Sequence, residues 1–532
     1  MSGKFTPIPL AFFIFFTLGL HEARAQSPQK IIRSANQLID VDLYEDAIKV
    51  LAPLVEKKYP EAILLTGFSL MAIEKKLPHS IEVLKEAAGL YPLKKRNSAQ
   101  AIDAHFNLGQ AYRLNGQPAK AYNEFIKLRR YAKKDALLTA DIELELQYCS
   151  NMHKLMETPV EIKIEHLSDV INSQYEDHSP VVLYDESTIY FTSTRPIDTL
   201  QENQTLFENI FVTHWRNHKW TEPKVLEIPG YHEANRATIG LTPDGQGLIF
   251  FENDGYNGAL YITYRTFDGW SAPEQLPAPI NSGYHETHAS ISPDGNTIYF
   301  SSERPGGFGG KDIYYSHKLP DGTWGKPINA GKNINTPLDE DGPFIHPDDT
   351  TLYFSSSGHN SMGGYDIFKS TKIGNDKWTK AENIGYPVNT PTDDLFYLPT
   401  PNGQRVYYAS RQTGSRGLTD LFLLHFPASD DRSLAVVSSH VFDNENQPAA
   451  SAIISVKNIS TNKKVGIYRV SPQTGKFVAI VPTASQYILT IENEGYTPFR
   501  QTFNIDLKDD YISKKSAIYL PPIMLTKEEN TN

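Results

Sequence analysis

A turn signal that returns five times constrains this chain more than any other feature. It reads "LYDESTIYFTST" (183–194), "TPDGQGLIFFEN" (242–253), "SPDGNTIYFSSE" (292–303), "HPDDTTLYFSSS" (346–357) and "TPNGQRVYYASR" (400–411). The turn residues Asp185, Asp244, Asp294, Asp348 and Asn402 lie 59, 50, 54 and 54 positions apart. Pro, Asp, Asn and Gly make the turn, and the alternating apolar residues after it have the period of a strand. A second short strand follows each time: "NIFVTH", "ALYITY", "DIYYSH", "DIFKST", "DLFLLH". Then comes Trp220, Trp270, Trp324 or Trp378, with Pro223, Pro273 and Pro327 three residues after the first three and Ala381 after the fourth. Each unit supplies about four strands over roughly 50 residues, the length and strand count of a propeller blade.

Five turn signals face only four Trp strands. Leu167 stands ten residues before Asp177, as Leu276 does before Glu286 and Ile384 before Asp394. The segment "PVEIKIEHL" (159–167) is therefore predicted to fill the missing outer-strand slot and to pair with the strand around "DLFLLHF" (420–426). That pairing closes a five-bladed ring and removes the exposed edges that invite aggregation.

Within the third unit, "SSERPGGFGGKDIYYS" (301–316) contains G-F-G-G-K, from Gly307 to Lys311. A glycine loop ending in Lys can cradle a phosphate. The fourth unit's "GHNSMGGYD" (358–366) has Tyr365 in place of Lys311, and no helix follows either loop. The glycines are read instead as positions of positive φ in a strand connection. Asp312, Asp366 and Asp420 are expected to accept from backbone N–H groups of that loop. The unit 292–316 and its four looser copies resemble the WD40-like, TolB-type propellers of Gram-negative envelope proteins, over about 159–427.

Carboxylates recur eight residues before the turn residue: Asp177, Glu286, Glu340 and Asp394. The second unit has Arg236 there, and the repeated "GYHE" makes Glu233 the counterpart. These five are the candidate binding residues at one mouth of the propeller channel. They form either an acidic ring for a cation or basic partner, or a set of caps on loop N–H groups. "HETH" (285–288) spaces its histidines three apart at a strand start, whereas a zinc H-E-x-x-H needs four on a helix. No G-x-S-x-G elbow is present, and no hydrolase-sized segment follows the propeller. No catalytic residue, cofactor or metal is expected.

Residues 28–135 show a period near 34. In "IDAHFNLGQAYRLNGQPAKAYNEFIKLRRYAKKD" (102–135), Gly109 and Ala121 are small where two helices would cross, Tyr112 and Phe125 fill the space beside them, and Asn115-Gly116 makes the turn. This unit resembles a tetratricopeptide repeat, with looser copies before it. Paired bases such as Lys57-Lys58, Lys75-Lys76, Lys94-Lys95-Arg96, Arg129-Arg130 and Lys133-Lys134 sit near helix ends, either as solvated ends or as a groove for an acidic partner. The lone Cys149, in "LELQYCSNM", reads as a helix packing residue. After "FPASDDRS" the pattern becomes short alternating strands split by turns, which suits a β-sandwich. It resembles a carboxypeptidase regulatory-like domain of transthyretin type.

At the start, Lys4 precedes the apolar run Leu10–Leu20, too short to span a bilayer, and Ala23-Arg24-Ala25 offers a cleavage site. No Cys follows that site, so a lipid anchor is not expected, and no transmembrane helix is expected. The formal net charge of −11 argues against a nucleic acid partner. The expected architecture is a multidomain α and β chain: 1–25 signal peptide, 26–158 α-solenoid, 159–428 five-bladed β-propeller, 433–525 transthyretin-like β-sandwich, 526–532 disordered tail. This order resembles Bacteroidota periplasmic proteins of type IX secretion and gliding, without their OmpA-like C-terminal domain, so peptidoglycan binding is not carried over. The resemblance implies a non-enzymatic scaffold in the periplasm or at the outer membrane, with protein partners of the cell envelope through which it meets the membrane. The alternative is a propeller that binds a cell-wall fragment, glycan or peptide.

Overall fold

The computed structural model describes residues 27–532 except 95–97, 133–134, 198–206, 231–234, 254–256, 375, 412–414, 418, 428–433, 507–517 and 529–532. The expected signal peptide, Glu233, Lys95-Arg96 and Lys133-Lys134 lie outside the described residues. The chain divides into two units, Met1–Thr158 and Pro159–Asn532.

The first unit holds seven α-helices among the described residues: α1 (Pro28–Ile39), α2 (Tyr44–Glu56), α3 (Pro60–Met71), α4 (Leu77–Leu90), α5 (Ala99–Leu114), α6 (Pro118–Ala132) and α7 (Ala136–Glu157). Pro28, Pro60 and Pro118 open their helices, where the missing N–H has no intrahelical partner to lose. Each helix packs against its successor. The crossings need small residues: a Cβ on Gly67 would lie 2.7 Å from the Leu84 side chain, and one on Gly109 2.7 Å from the Phe125 ring. Cys149 is buried among Ala121, Phe125 and Leu146. That burial pushes its thiol up to about 12, which leaves no thiolate for chemistry.

In the second unit, five antiparallel sheets form a ring of blades. Their inner strands are Asp177–Val182, Arg236–Leu241, Glu286–Ile291, Glu340–Ile345 and Asp394–Pro399, in blades one to five. Lys163–His166 pairs with Asp420–His425, with Lys163 opposite His425 and His166 opposite Phe422, so blade five is built from both ends of the segment. At the same seam Glu186, at φ 55°, accepts from Arg405 Nε at 3.1 Å and Tyr407 Oη at 2.8 Å of blade five. The repeated Trp is an inter-blade wedge. Trp270 stands edge-on to Tyr190 of blade one and Trp378 to Tyr299 of blade three, both at 5.9 Å between ring centres.

The glycine loop is part of the blade-to-blade joint. Asp312 accepts from Phe308 N at 2.5 Å and Gly309 N at 3.2 Å, and Asp420 accepts from Arg416 N and Gly417 N in the same way. The first N–H of the next inner strand then donates to the carbonyl just before each of these Asp residues: Glu340 to Lys311 at 2.8 Å, Asp394 to Tyr365 at 2.7 Å, Asp177 to Thr419 at 2.9 Å. The shared role at Lys311 and Tyr365 belongs to the main chain, which is why the side chain is free to differ.

The last segment forms two four-stranded sheets over a core that includes Val437, Val456, Phe477, Tyr487 and Leu489. The tail expected to be disordered from 526 is held as far as Glu528, whose N–H donates to Gly495 O at 3.1 Å, while Lys527 bridges Tyr496.

The expected fold class needs correction. The chain is predominantly β: among the described residues every α-helix precedes Thr158, and the sandwich is not a separate body but shares one unit with the propeller. Two ion pairs join the sandwich to the turn face of the propeller. Sandwich residues Lys476 and Arg469 reach the turn carboxylates Asp185 of blade one and Asp244 of blade two, the latter at 3.3 Å. Two of the repeated turn residues thus hold the sandwich.

Candidate functional site

Four of the sequence-predicted carboxylates, Asp177, Glu286, Glu340 and Asp394, open inner strands and are buried; Glu233 lies outside the described residues. Asp177 accepts from Ser173 N at 2.6 Å and Arg195 Nη2 at 2.6 Å. Glu286 accepts from Ser282 N at 2.9 Å, Ser302 Oγ at 2.7 Å and Arg304 Nη2 at 3.2 Å. Glu340 accepts from Thr336 N and Thr336 Oγ1, both at 2.7 Å, and Ser356 Oγ at 2.6 Å. Asp394 accepts from Thr390 N at 2.5 Å and Ser410 Oγ at 3.0 Å. These groups tie the turn before each inner strand to the neighbouring strand. In blade two, Arg236 takes the position and Glu252 replaces the facing serine, so the pair is inverted rather than lost. Burial pushes Glu340 and Asp394 up to about 7, against the pull of their N–H and O–H donors.

The residues that meet at the channel come one and two positions later. Every inner strand slips register there: after His178, Thr238, Glu286, Asp341 and Leu395. A bulge adds a residue to one strand and re-aims its side chain. Ser179, Gly342 and Phe396 occupy the same bulge position, at φ 50°, 59° and 57°. Such a φ is natural for Gly342 and a genuine outlier for a bulky Phe, and strain of this kind collects at functional sites. Ser179, Thr238, His288, Gly342 and Phe396 line a channel cavity of about 60 Å³. That is room for roughly four waters.

Phe396 is held between two imidazoles. The His178 ring is near-parallel to it at 5.9 Å, and the His288 ring is tilted at 5.1 Å. His178 uses Nδ1 with Ser179 Oγ at 2.8 Å and Nε2 with Glu208 Oε1 at 3.2 Å. His288 Nδ1 lies 2.6 Å from Asp341 Oδ1, and Lys311 Nζ donates to Asp341 Oδ2 at 2.6 Å. Burial alone would raise Asp341, but His288 and Lys311 hold its carboxyl well below the usual range. Lys311, though buried, is raised by Asp341.

Sequence reasoning missed His178, His288, Asp341, Lys311 and Phe396 as a group. Lys311 was met as the end of a glycine loop, and His288 as half of "HETH". The structure separates that motif's histidines: His285 faces Glu303 at 3.5 Å, His288 faces Asp341. The signal that could have found the group is the failure of the repeat at these positions, where blade after blade carries a different side chain.

No protein-family model and no curated protein sequence matches the chain. Solved structures that resemble it include an α-L-arabinofuranosidase from Lactobacillus brevis (13% identity, 50% of this chain and 94% of that one, TM-score 0.33). Others are a β-xylosidase/α-arabinofuranosidase of glycoside hydrolase family 43 from a compost metagenome (11%, 51% and 97%, 0.33) and a xylan β-1,4-xylosidase from Bacillus halodurans (11%, 68% and 95%, 0.32). The likeness is one of fold. The comparisons correct the functional expectation. These three structures are glycosidases, not envelope scaffolds. The reading as a type IX secretion or gliding scaffold is set aside, and with it the classification as a non-enzyme.

Proposed function

We propose that the propeller mouth binds a neutral carbohydrate. The observation that carries this is Phe396, an aromatic ring held in strained backbone between two imidazoles at the channel opening. An apolar ring among hydrogen-bonding groups suits a sugar, which has C–H faces and a rim of hydroxyls. The electrostatics favour a ligand without charge. Lys311 is matched by Asp341, Arg195 by Asp177, Arg304 by Glu286 and Arg236 by Glu252. Charges paired at contact distance present little net field to an ion.

Calorimetric titration of the purified chain with xylotriose, arabinotriose, cellotriose and chitotriose tests this, with release of reducing ends followed in the same samples to report turnover. At least one sugar is expected to bind, and Phe396→Ala is expected to weaken it tenfold or more, about 1.4 kcal/mol. Binding of none of them, or unchanged binding by F396A, would overturn the proposal.

A further inference from the structure

Asp341 takes four donors. Oδ1 accepts from Thr287 Oγ1 at 2.7 Å, His288 Nδ1 at 2.6 Å and Gly342 N at 2.8 Å, and Oδ2 accepts from Lys311 Nζ at 2.6 Å. An ionised carboxylate only accepts, so the proton of the His288 contact sits on Nδ1. In a neutral imidazole one nitrogen donates and the other accepts, so Nε2 is left with a lone pair. Among the described residues Nε2 has no protein partner, and His288 lines the channel cavity. The other imidazole on Phe396 is different, because both nitrogens of His178 are engaged.

The geometry points to His288 as the residue that selects a hydroxyl donor: its Nε2 accepts a hydrogen bond from a free ligand O–H beside Phe396, and Asp341 and Lys311 are positioning residues that fix the tautomer. This rests on the carbohydrate reading of the mouth and adds a specificity to it. A sugar whose hydroxyls are capped keeps its shape and its acceptors but loses the donor. A site built to pair with a hydroxyl rejects such an analogue strongly, because its own polar group is left unpaired.

The test compares the four oligosaccharides with their fully O-methylated forms, on the wild-type chain and on His288→Phe, which keeps a ring and removes the lone pair. The wild type is expected to prefer the free sugar by tenfold or more. In H288F the preference should shrink to threefold or less, through weaker binding of the free form. A preference retained in H288F overturns the assignment while the carbohydrate reading stands. If no free sugar binds, the carbohydrate reading falls, and the tautomer decides what remains. Long-range proton–nitrogen spectra of the 15N-histidine-labelled chain, assigned by the signal lost in H288F, should show His288 protonated at Nδ1. Protonation at Nε2, alone or together with Nδ1, removes that lone pair and overturns the inference whether or not a sugar binds.

Discussion

Gly309→Ala is expected to destabilise the propeller by roughly 3 kcal/mol or more, in the range of the largest single substitutions. A Cβ at Gly309 would collide with the Leu338 carbonyl oxygen and lie 2.7 Å from the Thr336 carbonyl oxygen. Both are main-chain atoms of the loop that leads into blade four, so neither can swing aside as a side chain would. The nearby Gly306 is the control. It has φ 95° and nothing within 4 Å of its absent Cβ, so alanine there meets only backbone strain of about 1 kcal/mol. Thermal unfolding followed by intrinsic fluorescence should show a far larger loss for G309A than for G306A. Equal small losses would mean that the glycine loop is not packed against the next blade, and would reopen its reading as a ligand cradle.

Raising the pH from 5 to 8 is expected to weaken the propeller through Glu340 and Asp394. Both have folded-state values of about 7, against ordinary values of 4.5 and 3.8. A carboxyl whose folded value is raised contributes stability that is fully present below its unfolded value. It is lost as the pH rises through the folded value, because the unfolded chain sheds its proton first. At about 1.36 kcal/mol per pH unit of difference, the loss between pH 5 and 8 is roughly 2–3 kcal/mol for each group. Glu340→Gln and Asp394→Asn imitate the protonated forms and should flatten the decline. Denaturant midpoints at the two pH values measure it, and a wild-type slope that matches the double variant would contradict these assignments.

Repetition made the frame of the ring legible. The spacing of Leu167 against Leu276 and Ile384 locates the strand that pairs with Asp420–His425, because a blade's outer strand must lie a fixed distance before the next inner strand. The Asp312 and Asp420 bonds follow from the same logic. The joining of sandwich to propeller was not legible, since it depends on where Lys476 and Arg469 come to lie against residues 291 and 225 positions away. The candidate site was read one or two residues out of place. Asp177, Glu286, Glu340 and Asp394 repeat because every blade needs its turn tied down. His178, His288, Asp341 and Phe396 do not repeat, since each occupies a distinct place around one mouth. In a repeat protein, what recurs reports the scaffold, and what breaks the recurrence on the channel face marks the chemistry. The bulges that bring these side chains together leave no mark in hydrophobic periodicity.

The carbohydrate reading is tested most directly by diffraction from crystals of the chain soaked in turn with xylotriose, arabinotriose, cellotriose and chitotriose. The result predicted is a sugar ring in van der Waals contact with Phe396 and a hydroxyl within hydrogen-bond distance of His288 Nε2. A mouth left empty in every soak, or sugar bound only elsewhere on the chain, would contradict it.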